Sequence, residues 1–288
     1  MSSYLIFTDS ASDIKPELLN KWGVEFISLT FRFDGDEKEY SNNDMEAKDF
    51  YDNMRQGKVA KTAAINPETF GKAFEEILCR GDDILYLGFS SGLSTTFNSA
   101  KIAADELLEK YPERKIITID TLAASAGEGM LVYLAAQKKN SGASIEEVAQ
   151  YIEDIKLKLC HWFTVDDLVY LKRGGRVSPT VAFVGNLLGI KPVLHVDNDG
   201  HLINMFKARG RKASINAIAE KYGELAEDKE NGVVFISHGD CLSDVKLLEE
   251  AIKSKYGASV DVIADVGPVI GAHSGPGTLA LLFIGKER

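Results

Sequence analysis

The sequence predicts an α/β fold in two parts. An N-terminal open parallel sheet with flanking helices is followed by a smaller C-terminal α+β domain. Three observations predict it. Through the first half of the 288 residues, short apolar strands alternate with amphipathic helices, the rhythm of βαβ units with right-handed crossovers. Three of the segments that follow strands are rich in hydroxyls: TDS at 8–10, GFSSGLS at 88–94 and DTLAAS at 120–125. Past residue 160 the pattern changes to a hairpin followed by mixed strands and helices. The length exceeds that of a usual single domain, so domains at 1–160 and 161–288 are expected.

Taken in order, Tyr4–Thr8 is a short buried strand, and a helix follows near Lys15–Trp22. Val24–Thr30 is another apolar run. Residues 31–46 are polar and rich in turn formers, which predicts an excursion from the sheet. From Pro67 to Arg80, Phe70, Ala73, Phe74, Ile77 and Leu78 recur at helical spacing, with Pro67 suited to a first turn. Strands at Ile84–Gly88 and Ile116–Asp120 alternate with helices over Thr95–Tyr111, about 124–139 and about 144–159. In the second half, the runs around Asn198-Asp199-Gly200 form a hairpin signal, because that tripeptide accommodates the positive φ of a tight turn. Helices near 213–225 and 243–256 then alternate with strands at Val233–Ser237, Val260–Ala264 and Leu279–Ile284.

Composition narrows the function. The formal net charge is −10, against a general nucleic-acid binder, which needs a basic surface. Every long apolar run meets a charge before the roughly 18 residues a membrane span requires. The N-terminus reaches Asp9 without a basic flank and reads as a first strand rather than a signal peptide. Cys79, Cys160 and Cys241 lie far apart and form no CxxC, so buried thiols in a reducing cytoplasm are expected. No GxxxxGK[ST] run is present, so the chain lacks that ATP-binding loop.

Several residues are candidates for chemistry. Ser90 sits in Gly88-Phe89-Ser90-Ser91-Gly92, a Gly-x-Ser-x-Gly pattern that marks a serine nucleophile in many hydrolases. With His273 and Asp261 or Asp265 it meets the chain order of a triad, the basis of an alternative reading as a serine esterase or acyl hydrolase. Yet Gly92 and Leu93 separate Ser90 from the coming helix, and Ser94 stands just before it as an apparent N-cap. The unpaired N–H groups of a helix start favour an anion, so this loop also suits a carboxylate or phosphate. His273 lies among Gly267, Gly271, Gly275 and Gly277 and reads as part of a glycine-rich loop, structural or functional. LKRGGRVS at 171–178 and KARGRKA at 207–213 concentrate basic residues in an acidic protein. They fit either a solvated surface or a site for phosphates or an acidic partner.

In order along the chain, TDSASD, KTAAINP, SSGLSTTFNSA, IDTLAASAGEG, LKRGGRVS, LLGIKPVL, KARGRK, HGD and GPVIGAHSGPGT resemble the DegV family of bacterial fatty-acid-binding proteins, over about residues 3–286. The resemblance implies a long-chain fatty acid, such as palmitate, enclosed between two α/β domains. It also implies a cytoplasmic, non-catalytic role as the lipid-carrying subunit of a fatty acid kinase. A separate ATP-binding subunit then phosphorylates the carboxylate to supply phospholipid synthesis. No cofactor, metal or nucleic acid is implied, and transient membrane contact is allowed. The family's head-group threonine, serine and histidine fall on Thr62, Ser94 and His273. Two arginines linked with the rim or kinase docking fall on Arg176 and Arg209. The chain departs from the family at Ala63, where a serine is usual, and at Thr95, where a glycine is usual.

Overall fold

The computed structural model describes residues 3–177 and 189–288. Ser178 of LKRGGRVS, and Leu187 and Leu188 of LLGIKPVL, lie outside them. The first half is built on a parallel sheet of β1 (Tyr4–Asp9), β2 (Val24–Ile27), β6 (Asp83–Gly88) and β7 (Ile116–Asp120), in the order β2-β1-β6-β7. Helices α1 (Pro16–Trp22), α3 (Pro67–Cys79), α4 (Thr96–Lys110), α5 (Ala126–Asn140) and α6 (Ile145–Lys156) connect or follow these strands. Local chemistry starts two of them. Asn66 accepts the Thr69 N–H ahead of Pro67 at the first turn of α3, and Ser144 with Glu147 forms a capping box on α6, each satisfying orphan donors of a helix start.

The segment expected to be a polar excursion is instead a small antiparallel sheet. It comprises β3 (Thr30–Phe33), β4 (Tyr40–Ser41) and β5 (Ala60–Ala63), in the order β4-β3-β5, with α2 (Ala47–Arg55) packed against it. Phe31 and Phe33 alternate inward around exposed Arg32 and join a buried cluster with Phe50 and Tyr51. That alternation spans only four residues, too few to stand out from the polar residues around it.

The second half carries a six-stranded mixed sheet, wider than the parallel one. Its strands are β8 (Leu159–Thr164), β9 (Ile190–Val196), β10 (Leu202–Arg209), β11 (Val234–His238), β12 (Val262–Asp265) and β13 (Leu279–Ile284), ordered β10-β9-β8-β13-β11-β12. The expected boundary near residue 160 falls inside β8, whose first residue, Leu159, the helical reading of 144–159 had absorbed. The predicted hairpin forms as β9 and β10, with Leu202 opposite Val196. Helices α8 (Arg211–Leu225) and α9 (Leu242–Tyr256) cover one face of this sheet, through Ile215, Ile218, Val245 and Leu248. Between β8 and β9 comes short α7 (Val169–Arg173), and between β12 and β13 comes α10 (Pro268–Ser274).

Helix α5 is shared by both halves. Met130, Leu131 and Val132 are fully buried in one cluster with Ile6, Leu85 and Leu87 of the parallel sheet and Phe163, Phe235 and Leu282 of the mixed sheet. The hairpin tip adds a second junction. Ser90 Oγ donates to the Gly200 carbonyl at 2.9 Å, and a Cβ on Gly92 would lie 2.7 Å from the Asp199 carbonyl oxygen. The Arg288 guanidinium donates to the carbonyls of Leu122, Lys156, Leu159 and Asp197 at 2.7–3.0 Å. Burial draws its pKa down to about 10, so it stays charged at neutral pH. Arg288→Met should therefore orphan several carbonyls and lower stability by about 2–4 kcal/mol, read as a lower urea midpoint at unchanged m-value.

Candidate functional site

A cavity of about 400 Å³ lies between the halves, within the range of small-molecule sites. Strand order explains its position. β1 and β6 are adjacent, yet the chain leaves them toward opposite edges, and ligands of open α/β sheets collect beyond the carboxyl ends at such a switch. Of the three hydroxyl-rich strand ends, GFSSGLS and DTLAAS reach the cavity, whereas TDS does not. The buried Asp9 carboxylate accepts from Ala11 N, Phe89 N and Tyr86 Oη, so it ties loops together behind the site. Most of the wall is apolar, with Leu29, Phe89, Phe163, Val269 and Leu282 contributed by both halves.

Four of the sequence-selected residues, Thr62, Ser94, Arg176 and His273, line the cavity, and two of them meet at one end. Thr62 lies on β5 and His273 in the last turn of α10, with Thr62 Oγ1 and His273 Nε2 2.8 Å apart. His273 therefore belongs to a helix rather than to a glycine-rich loop. The close approach is made possible by Gly174, where a Cβ would lie 2.2 Å from His273 Nδ1. Burial, then the Arg176 guanidinium, pulls the His273 pKa down to about 4, so the imidazole is neutral at pH 7. If Nε2 carries the proton, it donates to Thr62 Oγ1 and leaves the threonine proton for a ligand.

Ser94 sits one residue further from α4 than the sequence suggested. Thr95 is the N-cap residue and makes no side-chain cap, while Ser94 Oγ accepts the Thr96 N–H at 3.2 Å. Its hydroxyl also faces Thr96 Oγ1 at 2.9 Å. Arg176 is half-buried in the cavity wall, donating through Nε to the Leu93 carbonyl at 3.1 Å and through Nη1 to that of Gly174. Arg209 is elsewhere, exposed at the end of β10 and away from the lining. Ala63 lies beside Thr62 on the wall, as does Thr95.

The geometry does not support the nucleophile reading of Ser90. Its hydroxyl is buried, faces Gly200 and accepts the Gly92 N–H, and it does not line the cavity. Neither proposed acid reaches His273, since Asp261 accepts Val234 N and Asp265 lies near His238 and Lys15. Ser90 is a fastening for the hairpin tip.

Two polar lining residues, His161 and Ser237, escaped the sequence reading, and Ser125 entered it only as the end of DTLAAS. His161 stands within LCHWFT, where nothing distinguishes a cavity-facing histidine from a core one. Ser125 belongs to a loop in which it and Leu122 hold positive φ, 53° and 51°, a strain that only coordinates reveal.

A sequence model of the DegV family, described as uncharacterised protein, matches residues 3–286. The chain belongs to the DegV family. A DegV domain-containing protein of Clostridium perfringens is 43% identical, covering 100% of this chain and 99% of that one. One from Streptococcus pyogenes is 36% identical over 99% of each. Among solved structures, a fatty-acid-binding DegV family protein of Thermus thermophilus superposes with a TM-score of 0.88 at 30% identity, over 99% of this chain and 100% of that one. A DegV lipid-binding protein of Thermotoga maritima gives 0.87 at 30% identity, over 99% of each. These likenesses establish the mixed α/β DegV fold. Among the described residues no helix is long and apolar enough to cross a membrane.

The low pKa of His273 gives a direct test. Titrated by NMR of the imidazole, His273 should stay neutral on acidification from pH 7 and begin to protonate only near pH 4. Its charge should then appear well below the ordinary histidine value of about 6.5.

Proposed function

We propose that this DegV family protein binds one long-chain fatty acid between its halves and presents the carboxylate to a separate ATP-dependent kinase. The observation that carries the reading is the mostly apolar cavity ending in the Thr62–His273 pair, with Ser94 and Arg176 on the same wall. Solved DegV proteins described as fatty-acid-binding share the fold at 28–30% identity, which supports the same ligand class here. The chain itself performs no chemistry in this reading. Its hydroxyls and neutral imidazole satisfy the carboxylate's lone pairs, and Arg176 supplies a nearby positive charge without being the only partner.

Tail and head have separate tasks. At about 0.8 kcal/mol per buried methylene, a sixteen-carbon chain offers about 11 kcal/mol before entropic losses. The head group needs only to be oriented, with one oxygen left to attack a phosphoryl group supplied with its nucleotide and metal by the kinase. The absence of a GxxxxGK[ST] run is consistent with that division. Exposed Arg209 is proposed as part of the kinase-docking surface, and Arg176 as a rim residue that also reaches the head group. The setting is the cytoplasm, upstream of phospholipid synthesis.

Native mass spectrometry of the purified protein, followed by extraction and identification of bound lipid, is the deciding experiment. One stoichiometric long-chain acid supports the reading, and a protein that is empty and refuses added fatty acid sinks it. Because retention rests on the tail, Ser94→Ala should keep its lipid while acyl-phosphate formation with the kinase falls about tenfold or more, the scale of one lost transition-state hydrogen bond. Loss of lipid from a folded Ser94→Ala protein would contradict this division of labour.

A further inference from the structure

We propose that the cavity carries a second, neutral polar subsite part-way along its wall, made by His161, Ser125 and Ser237, which selects acyl chains bearing a hydroxyl or keto oxygen. The proposal rests on the fatty-acid reading and refines it.

Strand register gives the position. On the cavity face of the mixed sheet, Ser237 stands opposite Ala280, and Ala280 opposite Phe163. One row further from α10 and α7, His161 stands opposite Leu282. β8 pairs β9 with Phe163 opposite Leu194, so Val196, and Leu202 opposite it, stand level with His161 and line the same cavity. The subsite therefore lies away from the Thr62–His273 end and toward the hairpin, against the hydrocarbon of an enclosed chain rather than its head group.

Its imidazole is unsatisfied by the protein. His161 is 3% exposed, and neither ring nitrogen has a hydrogen-bond partner among the described residues. The nearby Leu159 carbonyl makes no bond of normal geometry with the ring and already receives Arg288 Nε. Ser125 donates to Asp13 Oδ2 at 2.6 Å and approaches Ser237 Oγ at 3.2 Å. With the Ser125 proton given to Asp13, Ser237 donates to Ser125 Oγ and keeps its lone pairs for a donor. Buried polar groups left in this state are uncommon and point to a missing partner.

The chemistry of that partner follows from the charges around it. Burial, then Arg288, drives the His161 pKa well below its ordinary value, so the ring is neutral and offers one donor and one acceptor. Asp13 stands directly behind Ser125, and Glu128 follows in the first turn of α5, which disfavours a second anion. A hydroxyl, able to accept from His161 and to donate to Ser237, or a keto oxygen, able to accept from His161, fits the patch. A saturated methylene there leaves the polar atoms unpaired. Sites built to hydrogen-bond an oxygen discriminate against analogues that lack it.

The test uses the full chain, delipidated, in competition between stearic acid and a positional series of monohydroxystearic acids, with bound species counted by native mass spectrometry. One isomer should be preferred over stearic acid by about tenfold or more, a conservative share of such discrimination. In His161→Leu and in Ser237→Ala that ratio should collapse toward one, because affinity for the hydroxy acid falls. Should His161→Leu fail to fold, Ser237→Ala, which removes a single oxygen, carries the test. Absence of any preferred isomer in the native protein overturns the proposal, and so does a preference that survives both substitutions. Uptake of neither acid overturns the fatty-acid reading itself, and this proposal with it.

Discussion

The structure depends on how closely α5 approaches both sheets. Nine of its residues are buried, so it has no solvated face of the kind an amphipathic surface helix shows. Two glycines in its first turn set the distance. A Cβ on Gly127 would lie 2.2 Å from His161 Nε2, and one on Gly129 would lie 2.4 Å from Ile14. A larger residue at Gly127 would push the helix from β8 of the mixed sheet, and one at Gly129 from the segment that joins β1 to α1. The start of α5 then also fixes Ser125 and Ala124 against the cavity. The shared core and the site are thus set by the same few residues.

That packing places acids where water does not reach. Burial raises the pKa of Asp9, and raises that of Glu128 well above its ordinary value, while Asp13 is pushed up to about 7. Asp9 is compensated by three donors. Among the described residues, Glu128 has one side-chain partner, Thr8 Oγ1, whose hydroxyl also lies 2.9 Å from the Leu87 carbonyl. A protonated Glu128 resolves this, donating to Thr8, which in turn donates to Leu87. Buried carboxyls in such a setting neutralise rather than bear unpaired charge.

Much of this was legible in the sequence, and the failures have physical causes. The βαβ alternation, Pro67 at a helix start and the Asn-Asp-Gly hairpin depend on local propensity and spacing, which a chain displays openly. The small sheet of β3, β4 and β5 was hidden because its stability comes from Phe31 and Phe33 meeting Phe50 across distant sequence. β8 was lost because LCHWFT follows a helix without a break. At the site, Thr62, Ser94 and His273 were found through the family's motifs, and their order along the chain could not have revealed the Thr62–His273 contact across 211 positions. Ser90 misled because the nucleophile pattern describes a turn, and this turn was recruited to hold Gly200. His161 carried no local signal, since its role depends on which face of β8 meets the cavity.

Under the proposed fatty-acid reading, the distribution of charge also decides which way a bound acid lies. At the α10 end the cavity offers Thr62, Ser94, a neutral imidazole and the half-buried Arg176 guanidinium, all able to stabilise negative charge. Away from that end it meets Ser125, whose proton is already committed to Asp13, with Glu128 close behind. A carboxylate at that depth would gain no cation and would face acids that burial has already made hard to ionise. The protein's net charge of −10 adds no long-range attraction, so Arg176 and the local donors must orient the head group unaided. The same asymmetry leaves the interior hospitable to a neutral oxygen while excluding a second charge. One end of the cavity is therefore built for an anion and the remainder for an uncharged chain.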